Sequence, residues 1–176
     1  LEELKADIRA KAEEQAAKQA ESAFEQSAVE KAAENTTVDM PKALIDAELD
    51  SQMERFAYQL QMSGYSMEQY AKMMGGDMSS LRSAFRPQAE KQAKISVTLE
   101  KIAEAENIAV TEEEIAEEIA SLAKQYELEE AKVKEMVPAE ELTSSLKTRK
   151  AVKIIVDSAV AVEPAPMKVI GEEEAK

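Results

Sequence analysis

Apolar residues recur every three or four positions along most of the chain, with charged and small polar residues between them. This period is typical of amphipathic α-helices. The first helix is predicted over residues 1–34, with a narrow apolar stripe at four-residue spacing from Leu4 through Ile8 to Phe24. A break at residues 35–39 follows, and Asp39 is expected to cap a second helix over about 41–62.

Capping signals divide the rest of the chain into further helices. Ser66 with Gln69, and Thr111 with Glu114, have the spacing of capping boxes, in which two side chains satisfy backbone N–H groups at a helix start. A short helix is expected after Ser66, because two glycines at 75–76 end it. The remaining helices are predicted over about 77–106, 111–126, 129–137 and 138–161.

Two segments leave alternatives open. Pro87 lies inside the fourth predicted helix and must either kink it or restart it, because proline lacks the N–H that a helix interior uses. The β-branched run over 152–162 has strand character, but it has no obvious pairing partner, so helix is favoured. The fold class is therefore all-α, and residues 163–176 are expected to form a flexible acidic tail.

Composition excludes several classes of function. The chain has 36 acidic and 22 basic residues and a net charge of −14, which opposes nucleic acid and anionic membranes as partners. Cysteine and histidine are absent. This removes the thiolate nucleophile, the imidazole base and the softer metal ligands, so we expect no catalytic residue, no metal and no cofactor.

The sequence shows neither a membrane span nor a signal peptide. No apolar run approaches the ~20 residues that span a bilayer, and the first ten residues lack a signal-peptide layout. Residue 1 is leucine, so the chain is expected to be a fragment or a processed product.

Three stretches carry a resemblance to a known family. The segment 38–49, Val-Asp-Met-Pro-Lys-Ala-Leu-Ile-Asp-Ala-Glu-Leu, follows a long charged helix and precedes one rich in methionine and glutamine. Together with residues 108–115, Ile-Ala-Val-Thr-Glu-Glu-Glu-Ile, and the helix over 138–161, it is similar to the C-terminal domain of the trigger factor family. The resemblance covers residues 1–162.

The resemblance implies an extended helical chaperone domain over 1–162. Its body would be residues 1–45, its first arm 46–106 and its second arm 107–158. Such a domain holds nascent or unfolded polypeptides without ATP in the cytoplasm. The family's ribosome-docking domain and FKBP-type prolyl isomerase domain have no counterpart here, so we expect no enzyme activity and ribosome contact only through the missing N-terminal domain.

Candidate client-binding residues come from a cluster of methionines. Six of the nine methionines fall within residues 53–78, together with Phe56 and three tyrosines, and thioethers adapt to many apolar partners. Core packing is favoured for Met53 and Phe56, and exposure for Met67, Met73, Met74 and Met78. The candidates are Met53, Phe56, Leu60, Met62, Tyr65, Met67, Tyr70, Met73, Met74, Met78, Leu81, Phe85, Ile119, Leu122, Tyr126 and Met136.

Other interpretations remain open at this point. The helical body of a SurA-like periplasmic chaperone and prolyl isomerase has a similar plan, and a helical scaffold without clients would have a similar composition. Whether the chain forms a homodimer is also open.

Overall fold

The structure, a computed structural model, describes residues 2–162, and it describes side chains from residue 7 onward. This part of the chain folds into seven α-helices and contains no strand, so the predicted all-α class is confirmed. The predicted acidic tail at 163–176 lies outside the described residues. The helices are α1 (Glu2–Asn35), α2 (Lys42–Met62), α3 (Met67–Met73), α4 (Met78–Ala105), α5 (Glu112–Tyr126), α6 (Glu130–Met136) and α7 (Ala139–Ser158).

Both predicted capping boxes are confirmed. At the start of α3, the Gln69 backbone N–H donates to the Ser66 hydroxyl at 3.2 Å, and the Ser66 N–H donates to the Gln69 side chain at 2.8 Å. Thr111 and Glu114 make the same reciprocal pair at the start of α5, at 3.3 and 2.9 Å. Because each box satisfies two backbone donors, these two starts are fixed by local sequence.

The predicted cap at Asp39 is wrong. Helix α2 begins at Lys42, and Pro41 occupies the N-cap position without any side-chain cap. The reason is the proline itself, because its ring keeps the preceding residue, Met40, out of the helical region of backbone space. A helix capped by Asp39 would need Met40 in helical conformation as its first residue.

The two open segments are both helical. Helix α4 continues from Met78 to Ala105 with Pro87 inside it, so the helix does not restart there. Because Pro87 has no N–H, the Ser83 carbonyl loses its donor within the helix. Both residues are exposed, so solvent can satisfy that carbonyl. Helix α7 extends to Ser158, so the β-branched run is helical up to that residue.

The predicted apolar stripe of α1 is not buried along its length. Every side chain from residue 7 to residue 23 is exposed, including Ile8, and burial begins only at Phe24. A repeat of four residues advances about 40° around the helix at each step, so such a stripe winds away from any straight partner. The C-terminal end of α1 packs instead, through Ala28, Val29, Ala32 and Ala33.

Three small apolar clusters hold the described helices together. The α2–α4 cluster contains Leu49, Met53 and Ala89, with Met67, Leu81 and Phe85 packed against it. The α1–α4–α7 cluster contains Leu99, Ala103, Ala151 and Ile155, and the α5–α6–α7 cluster contains Ile119, Ala123, Val133 and Leu142. Helices α4 and α7 each take part in two clusters, so they connect the three into one fold.

The α2–α4 cluster generates a stability prediction. Leu49 is its largest fully buried side chain, so Leu49→Ala should lower the free energy of unfolding by about 2–5 kcal/mol. Leu44→Ala makes the same change at an exposed position of α2 and should cost about 0.5 kcal/mol or less. Urea unfolding followed by circular dichroism compares the two. Equal losses would contradict the assignment of Leu49 to the core.

Candidate functional site

Exposed apolar side chains concentrate where α3 connects α2 to α4. Met62 is 74 % exposed, Met73 and Met74 are each 70 % exposed, and Tyr65 and Met78 are exposed to 49 % and 39 %. We call these five residues the tip surface. Helix α3 has only seven residues and one buried side chain, Ala71, so it has too little apolar contact to cover them.

An aromatic contact positions the tip surface. The Phe56 ring lies edge-on to Tyr70 of α3 and tilted against Phe85 of α4, each at a centroid distance of 5.1 Å. Edge-to-face pairs of this kind stabilise contacts beyond the area that they bury. Phe56 therefore joins three helices at one point, and it holds α3 in place while the tip surface remains free.

The two turns beside α3 depend on glycine. Gly64 has a φ of +80° and Gly75 a φ of +76°, in the left-handed region that side-chain-bearing residues rarely adopt. The backbone N–H of Tyr65 returns to the Leu60 carbonyl at 2.9 Å, and that of Gly76 to the Ala71 carbonyl at 2.9 Å. These bonds end α2 and α3 sharply, so α3 lies between two tight turns.

Several candidate residues are placed in the core instead of on the surface. Met53, Leu60 and Ile119 are buried, Met53 in the α2–α4 cluster and Ile119 in the α5–α6–α7 cluster. Six further candidates are half-buried: Phe56, Met67, Tyr70, Leu81, Phe85 and Leu122. The expected exposure of Met67 is therefore wrong, because its side chain packs against the α2–α4 cluster. The structure thus separates the candidates into anchors and exposed residues.

A second, smaller group of exposed candidates lies at the α5–α6 turn region. Tyr126 ends α5 and Met136 ends α6, and both are largely exposed. Glu127 follows in left-handed conformation, with a φ of 54°, and the Leu128 N–H donates to the Ala123 carbonyl at 2.9 Å. This cap turns the chain back toward the α5–α6–α7 cluster, where Leu128 packs.

Sequence reasoning missed two exposed apolar residues of α2. Leu44 and Tyr58 are both exposed, on the side of the helix away from Leu49. The spacing from Leu44 to Met62 corresponds to about five full turns, and Tyr58 lies within about 40° of both. A helical projection of α2 would have found this outward row, because the apolar residues of α2 divide between two faces.

Ion pairs connect the acidic helices to basic residues of α4. Arg86 lies 3.3 Å from Asp46 of α2, and the Lys91 ammonium lies 2.8 Å from Glu30 of α1. The hydrogen bond from Lys91, followed by one from Gln26, lowers the pKa of Glu30. Arg82 also pairs with Asp50. These partners are partly exposed, so each pair orients helices more than it stabilises them.

Helix α7 holds α5 through a similar arrangement. The Arg149 guanidinium donates two hydrogen bonds to Glu118, at 2.8 and 2.9 Å, and Lys150 donates to the Glu114 carboxylate at 2.7 Å and to the Ala109 carbonyl at 2.8 Å. Lys150 chiefly, with the Thr111 backbone, lowers the pKa of Glu114. Arg149 lowers the pKa of Glu118. A bidentate pair of this kind fixes orientation as well as distance.

A polar groove of about 740 Å³ runs between α4 and the first half of α7. Hydroxyl and carboxylate groups line much of it, including Thr143, Ser144, Glu100 and Glu140, with Lys147 among them. Such groups can hydrogen-bond the backbone of an extended peptide. In the part of the chain that the structure describes, no three acidic side chains converge on a metal-binding position. None of the helices there is long and apolar enough to cross a bilayer.

Comparison with known proteins decides the family. The family model described as the C-terminus of bacterial trigger factor protein matches residues 1–157. The chain belongs to the trigger factor family. The resemblance noted from the sequence is therefore confirmed, and the SurA-like alternative has no comparable support.

Trigger factors from other bacteria are similar over most of the chain. The one from Geobacillus sp. (strain WCH70) is 41 % identical over 159 residues, which is 90 % of this chain and 37 % of the relative. The one from Latilactobacillus sakei is 38 % identical over 166 residues, or 94 % of this chain and 38 % of the relative. The chain thus spans less than two-fifths of the length of these relatives.

A solved structure of trigger factor domains from Thermotoga maritima has a similar fold. It superimposes with a TM-score of 0.56 at 19 % sequence identity, over 77 % of this chain and 83 % of that one. At this identity the likeness concerns the fold alone.

The Arg149–Glu118 pair generates a pH prediction. The folded-state pKa of Glu118 is lowered, so the pair stabilises the fold above the unfolded value of about 4.3 and loses that effect as the pH falls through the folded value. In Arg149→Gln the pKa of Glu118 should rise toward its ordinary value, as read from carboxyl NMR shifts. The control Lys147→Gln also removes one positive charge from α7, and the pKa of Glu118 should stay lowered in it. An unchanged Glu118 pKa in Arg149→Gln would contradict the pairing.

Proposed function

We propose that this chain is the client-holding part of a chaperone that binds apolar segments of nascent or unfolded polypeptides without ATP and prevents their aggregation. The observation that carries the proposal is the tip surface, where five large apolar side chains remain exposed around α3, a helix too short to cover them. Family membership supports it, since the relatives are trigger factors.

The chemistry of the tip surface suits variable clients. Met62, Met73 and Met74 are unbranched and have three rotatable side-chain bonds each, so they can repack around apolar groups of different shape. The neighbouring Tyr65 adds an aromatic face with a polar end. Breadth of client choice then follows from side-chain freedom and does not need backbone rearrangement.

The arrangement of the clusters supports a body with two arms. The α1–α4–α7 cluster would be the centre of the body, the α2–α4 cluster with α3 the first arm, and the α5–α6–α7 cluster the second arm. We retain the ranges 1–45, 46–106 and 107–158 for these parts, with α4 and α7 extending from arm into body. The polar groove between α4 and α7 would then lie beside the client path.

Other partners of the proposed chaperone would act elsewhere. The net charge of −14 opposes direct contact with ribosomal RNA, so ribosome binding would need the N-terminal part of the longer relatives. We place the protein in the bacterial cytoplasm, where nascent chains emerge. A homodimer stays open, and sedimentation of the purified chain would settle it.

Removal of apolar side chains from the tip surface should weaken client holding. In the triple variant Met62→Ser, Met73→Ser, Met74→Ser, suppression of aggregation of a denatured test protein should fall strongly, because the exposed apolar area is lost. Stability should change by about 0.5 kcal/mol or less at each position, because none of the three is buried. Met67 is left intact because it packs against the α2–α4 cluster.

A matched control makes the result specific. Ile8→Ser, Ile154→Ser and Val160→Ser together remove three exposed apolar side chains that lie outside the tip surface and should leave holding nearly unchanged. If the tip variant holds clients as well as the parent chain, the tip surface is not the client-binding site. The variant Tyr126→Ser, Met136→Ser would then test the second arm. If the parent chain itself does not hold the test protein, the result supports the alternative of a helical scaffold without clients.

We also predict that this chain does not catalyse prolyl isomerisation. The isomerase of the family is a β-rich FKBP-type domain, whereas residues 2–162 form seven helices. A peptide-based isomerisation assay of the purified chain should give the uncatalysed rate, with a known isomerase as positive control. Acceleration that rises with chain concentration would disprove this.

A further inference from the structure

The methionines that the structure describes differ widely in exposure. Met62, Met73 and Met74 are 70–74 % exposed and Met136 of α6 is 65 % exposed, whereas Met53 is buried at 8 % exposure in the α2–α4 cluster. The chain has no cysteine and no tryptophan, so the thioether is its most readily oxidised side chain. The residues that dominate the tip surface are therefore also the ones most open to oxidants.

Oxidation of these thioethers needs only a peroxide. The methionine sulfur donates an electron pair to one peroxide oxygen, and the S–O bond forms as the O–O bond breaks. The leaving hydroxide takes the proton from the oxygen now bound to sulfur and becomes water. The product, methionine sulfoxide, is polar, and thiol-dependent reductases, one for each sulfoxide epimer, return it to methionine. The reaction thus converts an apolar side chain to a polar one, and the change is reversible.

The local structure permits this change without unfolding. Helix α3 is anchored by Ala71, by the contact of Tyr70 with Phe56 and by the Ser66–Gln69 capping box. None of these contacts uses the sulfur of Met62, Met73 or Met74. Oxidation there alters the surface and leaves the anchors intact, whereas a sulfoxide at Met53 would place a polar group inside a buried cluster.

We propose that Met62, Met73 and Met74 form a reversible oxidation site, at which peroxide converts the tip surface from an apolar to a polar one. The expected loss of client holding rests on the proposed function. The oxidation itself and the resulting loss of apolar surface are independent of that function, and both can be measured without any client.

The first experiment measures selectivity. The folded chain is treated with hydrogen peroxide, and the oxygen gained by each methionine is followed by peptide mass spectrometry. Met62, Met73 and Met74 should react on the order of tenfold faster than Met53, because a buried thioether reacts only through local opening. In denaturant the four rates should converge. Equal rates in the folded chain would overturn the proposal.

The second experiment measures apolarity and holding. Oxidation should remove most of the binding of an anilinonaphthalene sulfonate dye and most of the aggregation suppression, and treatment with both sulfoxide reductases should restore them. The triple variant Met62→Leu, Met73→Leu, Met74→Leu keeps the apolar volume but cannot form sulfoxide, so it should retain both properties after peroxide. Met136→Leu alters a methionine outside the tip surface and should not protect.

Each result is decisive for the oxidation site. If the oxidised chain binds dye as well as the reduced one, or if the triple leucine variant loses as much as the parent chain, the proposal is wrong. If dye binding falls with oxidation but the reduced chain never holds a client, the oxidation site is supported and the proposed function fails. Circular dichroism before and after peroxide checks that α-helix content is unchanged.

Discussion

The fold depends on close contact between helices, because the apolar clusters between them are small. Ala89 and Ala151 are fully buried, and Ala33, Ala71, Ala93 and Ala103 are nearly so, whereas Leu49 is the only large side chain in the described part that is buried below 2 % exposure. Alanine lets helix backbones approach closely but contributes little apolar area of its own. No pair of helices can therefore make a large core, and stability requires that α4 and α7 each serve two clusters.

The same thinness explains why apolar side chains remain on the surface. A larger core would draw Met62, Met73 and Met74 inward, but α3 offers only Ala71 and the half-buried Tyr70 and Met67 as attachment. Charge then decides how the helices are oriented. Basic residues of α4 and α7 pair with acidic residues of α1, α2 and α5, so these ion pairs determine which helix faces meet.

Local signals were sufficient for most of the fold. The capping boxes at Ser66 and Thr111 and the glycines after α2 and α3 act over a few residues, so helix number and approximate limits follow from sequence. Exposure of Met73 and Met74 also followed, because a short helix between glycines cannot bury every apolar residue it carries. The start of α2 was misplaced, since the effect of Pro41 on its predecessor outweighed the capping tendency of Asp39.

What could not be predicted depends on contacts between residues that are distant in the chain. Nothing local shows that α1 is exposed over residues 7–23 and packs through its last turns, or that Arg149 lies opposite Glu118. Likewise, a helical projection separates Met53 and Leu60 from Tyr58 and Met62, but it does not show which of these two faces of α2 meets α4.

Helix α7 has a mechanical consequence. Its twenty residues span about 30 Å as one unbroken rod, with Leu142 fixed among α5 and α6 and with Ala151 and Ile155 fixed against α4. Ala151 is fully buried where α7 meets α4, in one cluster with Leu99 and Ala103. A larger side chain at position 151 would have to push α7 away from α4. Because α7 is one rod, that displacement would also move its other end, and with it α5 and α6.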